Sequence, residues 1–528
     1  MKKTIFLTIG ILSILVLTSC GGAEAPANEP ANEPVYEYAN QPVEEPAEEA
    51  YYAPSSSESS EVGSITFDEV SSSSWTDPEE RETDDRGFVD TYYDHLSTFG
   101  IDVDTASYTQ TRNYIKDGLI PPADSVRVEE FINFFDAGYE MPRDVAFGIF
   151  ADGAPSPFER YDTQLIRIGI QGYEVPESRR KPVNLTFVID VSGSMSSPDK
   201  LELVKDSLEL LVDQLDREDM VSIVEYGSRA KTVLYPTSGN QKQTILRAIR
   251  KLRTNGSTNA EAGLRMGYQL AYEAFIEDGI NRVILASDGV ANVGHTEASE
   301  LLRFIRKYAD RGITLTTMGF GMGTFNDPFM EELADNGDGS YAYIDSMKES
   351  KRLFVDDLTS TLQVIAKDAK IQVDFNSEIV SHYRLLGYEN RDIADKDFRN
   401  DEVDAGELGA GHSVTALYEV VLVGEEEGRI ATIQFRWEDP DSGEVIEING
   451  NFNTWDLKQE FSEADSHFQV AALAAYFAEI LKESPSSYDI FLTDLLDYAM
   501  DLPRSVRNDA DVKELLWLIE EADYLIGW

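Results

Sequence analysis

The chain has 528 residues, of which 97 are acidic and 45 basic, giving a net charge of −52, and 42% are hydrophobic. That is longer than one ordinary domain and apolar enough for two or three packed units. An acidic excess of this size repels a phosphate backbone, which argues against nucleic acid as the partner and suits water, metal cations or basic surfaces.

Residues 1–20 read as a secretory signal: Lys2 and Lys3 precede an apolar run from Ile5 to Leu17, broken mainly by Thr8, Gly10 and Ser13. The run ends in Leu17-Thr18-Ser19-Cys20, which resembles the lipobox of bacterial lipoproteins. The resemblance implies cleavage before Cys20 and lipidation of its thiol, so that the mature chain is membrane-anchored in the cell envelope. With Gly21 rather than Asp after the cysteine, it implies the outer membrane in a diderm organism and otherwise the outer face of the cell membrane. Cys20 is also the only cysteine, which leaves no intrachain disulfide and no multi-thiolate metal site.

Residues 21–94 hold 20 Asp or Glu, two Arg and seven Pro, with a repeated Ala-Asn-Glu-Pro at 27–34 and a serine cluster at 55–60. So little apolar surface and so much like charge cannot offset the entropy of ordering, and the segment is expected to be a disordered, extended tether. Residues 95–180 follow as an accessory segment, in which Val126 to Phe135 suggests a short helix with an aromatic face turned to the core.

Across residues 181–362 the pattern alternates strand and helix. The strands Leu185 to Ile189, Met220 to Tyr226, Thr232 to Tyr235, Arg282 to Ala286 and Ile313 to Met318 are short and almost continuously apolar. Continuous apolarity argues for burial on both faces, hence a doubly wound, mostly parallel α/β sheet covered by helices. Ligands of such sheets bind at the carboxyl ends of the strands. Asp190 directly follows the first strand and opens Asp190-Val191-Ser192-Gly193-Ser194; Thr258 precedes a helix that begins near Ala260; Asp288 follows the strand ending at Ala286. These are hard oxygen donors without His or Cys, which suits Mg²⁺ rather than zinc or copper. Singly, each has a plainer reading: Ser192-Gly193-Ser194 and Asp288-Gly289 as turns, Thr258 as a helix cap.

Together, in this order and on these elements, they resemble the metal-ion-dependent adhesion site of von Willebrand factor type A domains. The resemblance implies a Rossmann-like fold and a divalent ion, Mg²⁺ with Mn²⁺ or Ca²⁺ as alternatives. It implies further that Ser192 and Ser194 bind the ion through their hydroxyls, that Thr258 binds directly or through water, and that Asp190 and Asp288 bind directly or hold coordinated waters. A site with two carboxylates and three hydroxyls leaves the ion electrophilic toward an outside oxygen, so a carboxylate from a protein partner is the expected last ligand. The stretches Phe99 to Thr105, Phe131 to Phe135 and Gly319 to Gly323 extend the likeness to YfbK-type bacterial A-domain lipoproteins, which carry an N-terminal accessory segment and a C-terminal region of unassigned function.

No enzyme is expected. Ser197-Pro198-Asp199-Lys200 matches S-x-x-K, but no K-T-G follows and Ser197 reads better as a helix cap. The Gly319 to Thr324 loop departs from a dinucleotide fingerprint, and the five histidines are scattered, with only His295 near enough to Asp288 to line a rim. Beyond the α/β unit, residues 363–462 carry strands such as Ala431 to Trp437 that alternate as half-buried antiparallel strands do. With Val145 to Ala151 and Gln164 to Gln171 on the other side, they predict a β-sandwich into which the α/β unit is inserted, the last helix of that unit, near 350–362, leading into the sandwich and able to shift along its axis. Residues 463–528 predict C-terminal helices packed on each other and on the sandwich. The leading function is a surface-tethered, metal-dependent protein-binding or adhesion module; the alternative is an envelope scaffold or assembly factor in which the metal site is structural.

Overall fold

The computed structural model describes residues 83, 87–158, 163–289, 295–321, 327–356, 362–403, 405–424 and 426–527. The signal, Cys20 and nearly all of the acidic segment therefore lie outside the described residues. Sixteen strands run through the described residues: β1 (Val89–Asp90), β2 (Leu96–Gly100), β3 (Phe147–Pro155), β4 (Thr163–Gly172), β5 (Val183–Asp190), β6 (Met220–Tyr226), β7 (Ala230–Ser238), β8 (Ile280–Ser287), β9 (Ile313–Phe320), β10 (Tyr341–Ile344), β11 (Val364–Phe375), β12 (Val380–Leu386), β13 (Gly406–Gly409), β14 (Ser413–Leu422), β15 (Arg429–Glu438) and β16 (Val445–Asn453).

The α/β unit is a single sheet in the order β10-β9-β8-β5-β6-β7, parallel throughout except for the antiparallel edge β7. All eight residues of β5 are buried, as continuous apolarity requires of a central strand covered on both faces. One face packs on Leu203–Gln214 and Lys242–Ile249 through Val204, Leu208, Leu211 and Ile245; the other packs on Ala260–Glu273 and His295–Ala309 through Leu264, Tyr268 and Leu301. The short strand β10 completes one edge.

Around this unit the chain closes the expected sandwich. One antiparallel sheet runs β1-β12-β14-β4-β3; the other joins β13, β11, β15 and β16, with β2 also paired to β11. Their inner faces share a core of Ile166, Ile168, Ile371, Val373, Val414, Ile433 and Phe435. β15 alternates buried and half-buried positions, the signature of a sheet with one wet face. The α/β unit sits between β4 and β11. Helices Ser466–Leu481, Leu492–Asp501 and Ala510–Ile526 pack with the accessory helix Val128–Asn133 over Phe131, Phe134, Phe468, Phe477 and Leu515. A cavity of about 430 Å³ separates the α/β sheet from the sandwich and is lined by Arg282, Thr316, Leu353, Asp104, Glu407 and His412 among others.

Three expectations need correction. Packed structure starts before residue 95: Phe88 and Val89 are buried and β1 pairs with Tyr383 and His382 of β12, so backbone pairing overrides the acidic local composition. The last helix of the α/β unit starts at Met347, not Ser350, and passes from Met347–Lys351 into a wider turn at Arg352–Asp356, with 357–361 outside the described residues. Ser197 takes the N-cap position with Pro198 in the first turn, as expected, but makes no side-chain capping bond, and that turn, Pro198–Glu202, is wider than the regular helix that begins at Leu203.

The accessory segment, the last helix of the α/β unit and the C-terminal helix meet at one guanidinium. Arg112 donates from Nε and Nη2 to the two oxygens of Asp345 at 2.8 and 2.6 Å, and from Nη1 to Glu514 at 2.9 Å, with Glu349 at 3.4 Å. Both Arg112 and Asp345 are 1% exposed. Removing one member of a buried pair leaves the other charge without compensation, which costs about 3–5 kcal/mol. Arg112→Ala is therefore expected to lower the unfolding free energy by about that amount, read as a large drop in the urea midpoint, whereas Arg250→Ala, which breaks a surface pair with Glu209, is expected to change it by under about 1 kcal/mol.

A second buried cluster carries a pH signature. Burial raises the Glu129 carboxyl to about 7, with Asp102 and Glu389 adding to the rise and the Tyr388 N–H opposing it. The unfolded carboxyl titrates near 4.3, so the native state holds the extra proton from roughly pH 4.5 to 7. Its contribution is complete below that window and is lost as pH rises through it, by an amount on the order of 3 kcal/mol. Glu129→Gln is expected to abolish this share. The difference in denaturation midpoint between variant and wild type, measured at pH 5 and pH 8, should then move in favour of the variant at the higher pH.

Candidate functional site

The parallel register of β5 and β8 matches Val188 with Leu285 and Ile189 with Ala286. That register carries Asp190 to the level of Ser287, with Asp288 one residue beyond the strand. Ser287 Oγ donates to Asp190 Oδ2 at 3.0 Å, and the Ser192 N–H donates to Asp190 Oδ1 at 2.7 Å, folding the chain into a tight turn. Asp190, Ser192 and Asp288 are all at most 2% exposed. Burial raises the Asp190 carboxyl above its ordinary value, opposed chiefly by the Ser192 hydrogen bonds. Met195, fully buried, pins the following turn, Gly193–Ser196, into the core.

The second loop is tied to the first through backbone. The Gly193 N–H donates to Gly256 O at 3.0 Å and the Asn255 N–H to Val191 O at 2.5 Å. Gly256 has φ +84, and a Cβ there would stand 2.4 Å from Ser228 Oγ, so this close approach needs glycine. Two residues on, Thr258 is half-buried. Its capping role falls to its neighbour: Asn259 accepts from the Ala262 N–H at 3.0 Å, and the Thr258 hydroxyl makes no hydrogen bond among the described residues. The helix-cap reading of Thr258 is therefore removed, and a free hydroxyl stands at the rim.

Ser192 Oγ and Ser194 Oγ lie 2.9 Å apart, with Ser194 exposed. The two hydroxyls share a hydrogen bond, and adjacent ligands of an octahedral Mg²⁺ ion with bonds of about 2.0–2.1 Å are likewise separated by about 2.9 Å. Among the described residues Asp288 Oδ1 is buried and has no hydrogen-bond partner, an arrangement that costs stability unless a cation or donor reaches it. The five side chains singled out from the sequence are two carboxylates and three hydroxyls, donors of the type that suits a hard divalent ion. Among the described residues no three His, Cys, Asp or Glu side chains gather to hold a metal, and a site with only two carboxylates does not require such a group.

Two participants were not singled out from sequence. Ser287 orients Asp190, and its role depends on the strand register. Lys200 reaches across from the wide turn: its Nζ donates to Asp288 Oδ2 at 2.9 Å. The Tyr226 hydroxyl is buried near the same carboxylates, and burial together with Asp190 pushes its ionisation well above the ordinary value. Residues 290–294 and 322–326, which include most of the loop after Gly319-Phe320-Gly321, lie outside the described residues, as does the side chain of His295.

Residues 184–360 match the family model of the von Willebrand factor type A domain. The α/β unit has the von Willebrand factor type A fold. Residues 360–525 match the C-terminal model of the uncharacterized protein YfbK, and residues 76–167 a model described as von Willebrand factor. The chain is 38% identical over 339 residues to the uncharacterized protein YfbK of Escherichia coli (strain K12), a match covering 63% of this chain and 59% of that one. It is 28% identical over 287 residues to the uncharacterized protein sll0103 of Synechocystis, covering 53% and 67%. A solved structure, von Willebrand factor type A from Catenulispora acidiphila, covers 70% of this chain and 88% of that chain at 15% identity and a TM-score of 0.43. Proteins with A domains generally act in protein–protein interaction, often with a metal ion.

Proposed function

We propose that the protein is a cell-envelope binding module, held by lipid on Cys20 at the end of an acidic tether, whose A domain grips a protein partner through a divalent ion at Asp190, Ser192, Ser194, Thr258 and Asp288. The observation that carries the metal is Asp288 Oδ1, buried and without a hydrogen-bond partner among the described residues, and the Ser192–Ser194 hydroxyl pair 2.9 Å apart supports it. Ser194 and Thr258 line the accessible rim, so an incoming carboxylate approaches from their side. The ion, with Mg²⁺ the expected one, supplies a Lewis-acidic position for that carboxylate. The chain's own part is to hold the hydroxyls and carboxylates in place: Ser287 and the Ser192 N–H fix Asp190, and the Gly193–Gly256 contact fixes the Thr258 loop. The role proposed is capture, not catalysis.

An ion that binds only the native state stabilises it by about 2.7 kcal/mol at a hundredfold excess over Kd. Mg²⁺ or Mn²⁺ is expected to raise the melting temperature of the folded protein, and both Asp190→Ala and Asp288→Ala are expected to abolish the rise. Partner capture from envelope extracts should disappear with chelator and with Asp190→Ala. Capture retained in both arms would leave the ion, at most, a structural role and favour a scaffold or assembly factor.

A further inference from the structure

Lys200 stands where a cation is needed. Its Nζ lies 2.9 Å from Asp288 Oδ2, with the lysine side chain 12% exposed and the aspartate side chain 1% exposed. The alkyl stem reaches this place across Gly321, where φ is +78 and a Cβ would sit 2.3 Å from Lys200 Cγ and 2.7 Å from Cε. Any side chain at that position would meet the stem of the lysine. The lysine itself belongs to the wide turn Pro198–Glu202, between the serine-bearing turn and the regular helix that begins at Leu203.

We propose that Lys200 is an internal latch on the metal site: its ammonium neutralises Asp288 in the ion-free protein and must leave Asp288 before a divalent ion is held there. This rests on the metal-grip reading and adds the element that regulates it. The electrostatics require a counter-charge. Asp190 and Asp288 are both at most 2% exposed, and a carboxylate taken out of water needs a partner of opposite charge. Lys200 supplies one positive charge on a flexible stem, whereas the ion supplies two at closer range. With the ammonium on Oδ2 and an ion on Oδ1, like charges would face each other across one buried carboxylate, and the repulsion expels the more mobile ammonium. The observed affinity for the ion is therefore the intrinsic one reduced by the fraction of molecules in which the latch is closed. Lysine suits this task better than arginine, since its single ammonium is a compact point charge that leaves one position cleanly, without a bidentate hold on the carboxylate.

The test is direct measurement of Mn²⁺ binding by titration calorimetry and by the Mn²⁺ electron paramagnetic resonance signal, on the folded protein, for wild type, Lys200→Met, Lys200→Arg and Asp288→Asn. Lys200→Met is expected to bind Mn²⁺ about tenfold more tightly than wild type, the scale of a lost charge-assisted hydrogen bond. Lys200→Arg should bind no more tightly than wild type, and Asp288→Asn should bind poorly. A second reading uses the wild-type chain alone: amine-reactive labelling located by mass spectrometry should find Lys200 protected in chelator and modified in Mn²⁺. Equal Mn²⁺ affinity in wild type and Lys200→Met, or Lys200 labelling indifferent to the ion, overturns the latch while leaving the metal site standing. Absence of Mn²⁺ binding in every variant, Lys200→Met included, overturns the metal reading and the latch together.

Discussion

Two carboxylates buried side by side at the ends of β5 and β8 set the terms for everything around them. The parallel sheet gives no choice in the matter: once β5 and β8 pair in register, Asp190 and the residue after Ser287 are neighbours. Three nearby elements contribute a donor or a positive charge. The Ser192 N–H and Ser287 Oγ take one aspartate, and Lys200 takes half of the other. What is left, Asp288 Oδ1, is a buried acceptor without a donor among the described residues. Such a group costs stability until a cation or donor reaches it.

The fold was legible where burial is simple. Strands covered on both faces become continuous apolar runs, so β5, β6, β8 and β9 could be read directly, and the alternation of β15 announced the sandwich. β10 is four residues long and β1 only two, and such short elements carry no periodicity. β1 lies where acidic composition predicts disorder. Its structure comes from a partner strand nearly 300 residues away, and local composition holds no trace of that.

The candidate site was legible to the extent that its proposed ligands lie in order along strand-end loops. Asp190, Ser192, Ser194, Thr258 and Asp288 can be picked out because each sits beside a strand or helix that the pattern reveals. Lys200 can be seen in sequence only as part of an incomplete S-x-x-K. Its contact with Asp288 spans 88 residues and depends on a turn that is neither regular helix nor loop. Thr258 shows the reverse case: sequence alone leaves a choice between cap and ligand, and the structure removes the cap, which Asn259 takes.

Arg112 constrains how far a change at the metal site can travel. The last helix of the A domain, Met347–Lys351, is bound to the accessory segment through Glu349 with Arg112, and Arg352 donates both to Glu349 and to Thr105 Oγ1. Ser350 and Ser207 share a hydrogen bond of 2.7 Å, which ties the same helix back to Leu203–Gln214, the helix that follows the Lys200 turn. Coupling energies between sites are typically about 1–3 kcal/mol, while stranding one charge of a buried pair costs about 3–5 kcal/mol. Sliding this helix away from Arg112 therefore carries the cost of separating Glu349 and Asp345 from the guanidinium. A rearrangement that starts at Lys200 and reaches this helix must carry Ala106–Lys116 with it as one body, or stop at Ser207.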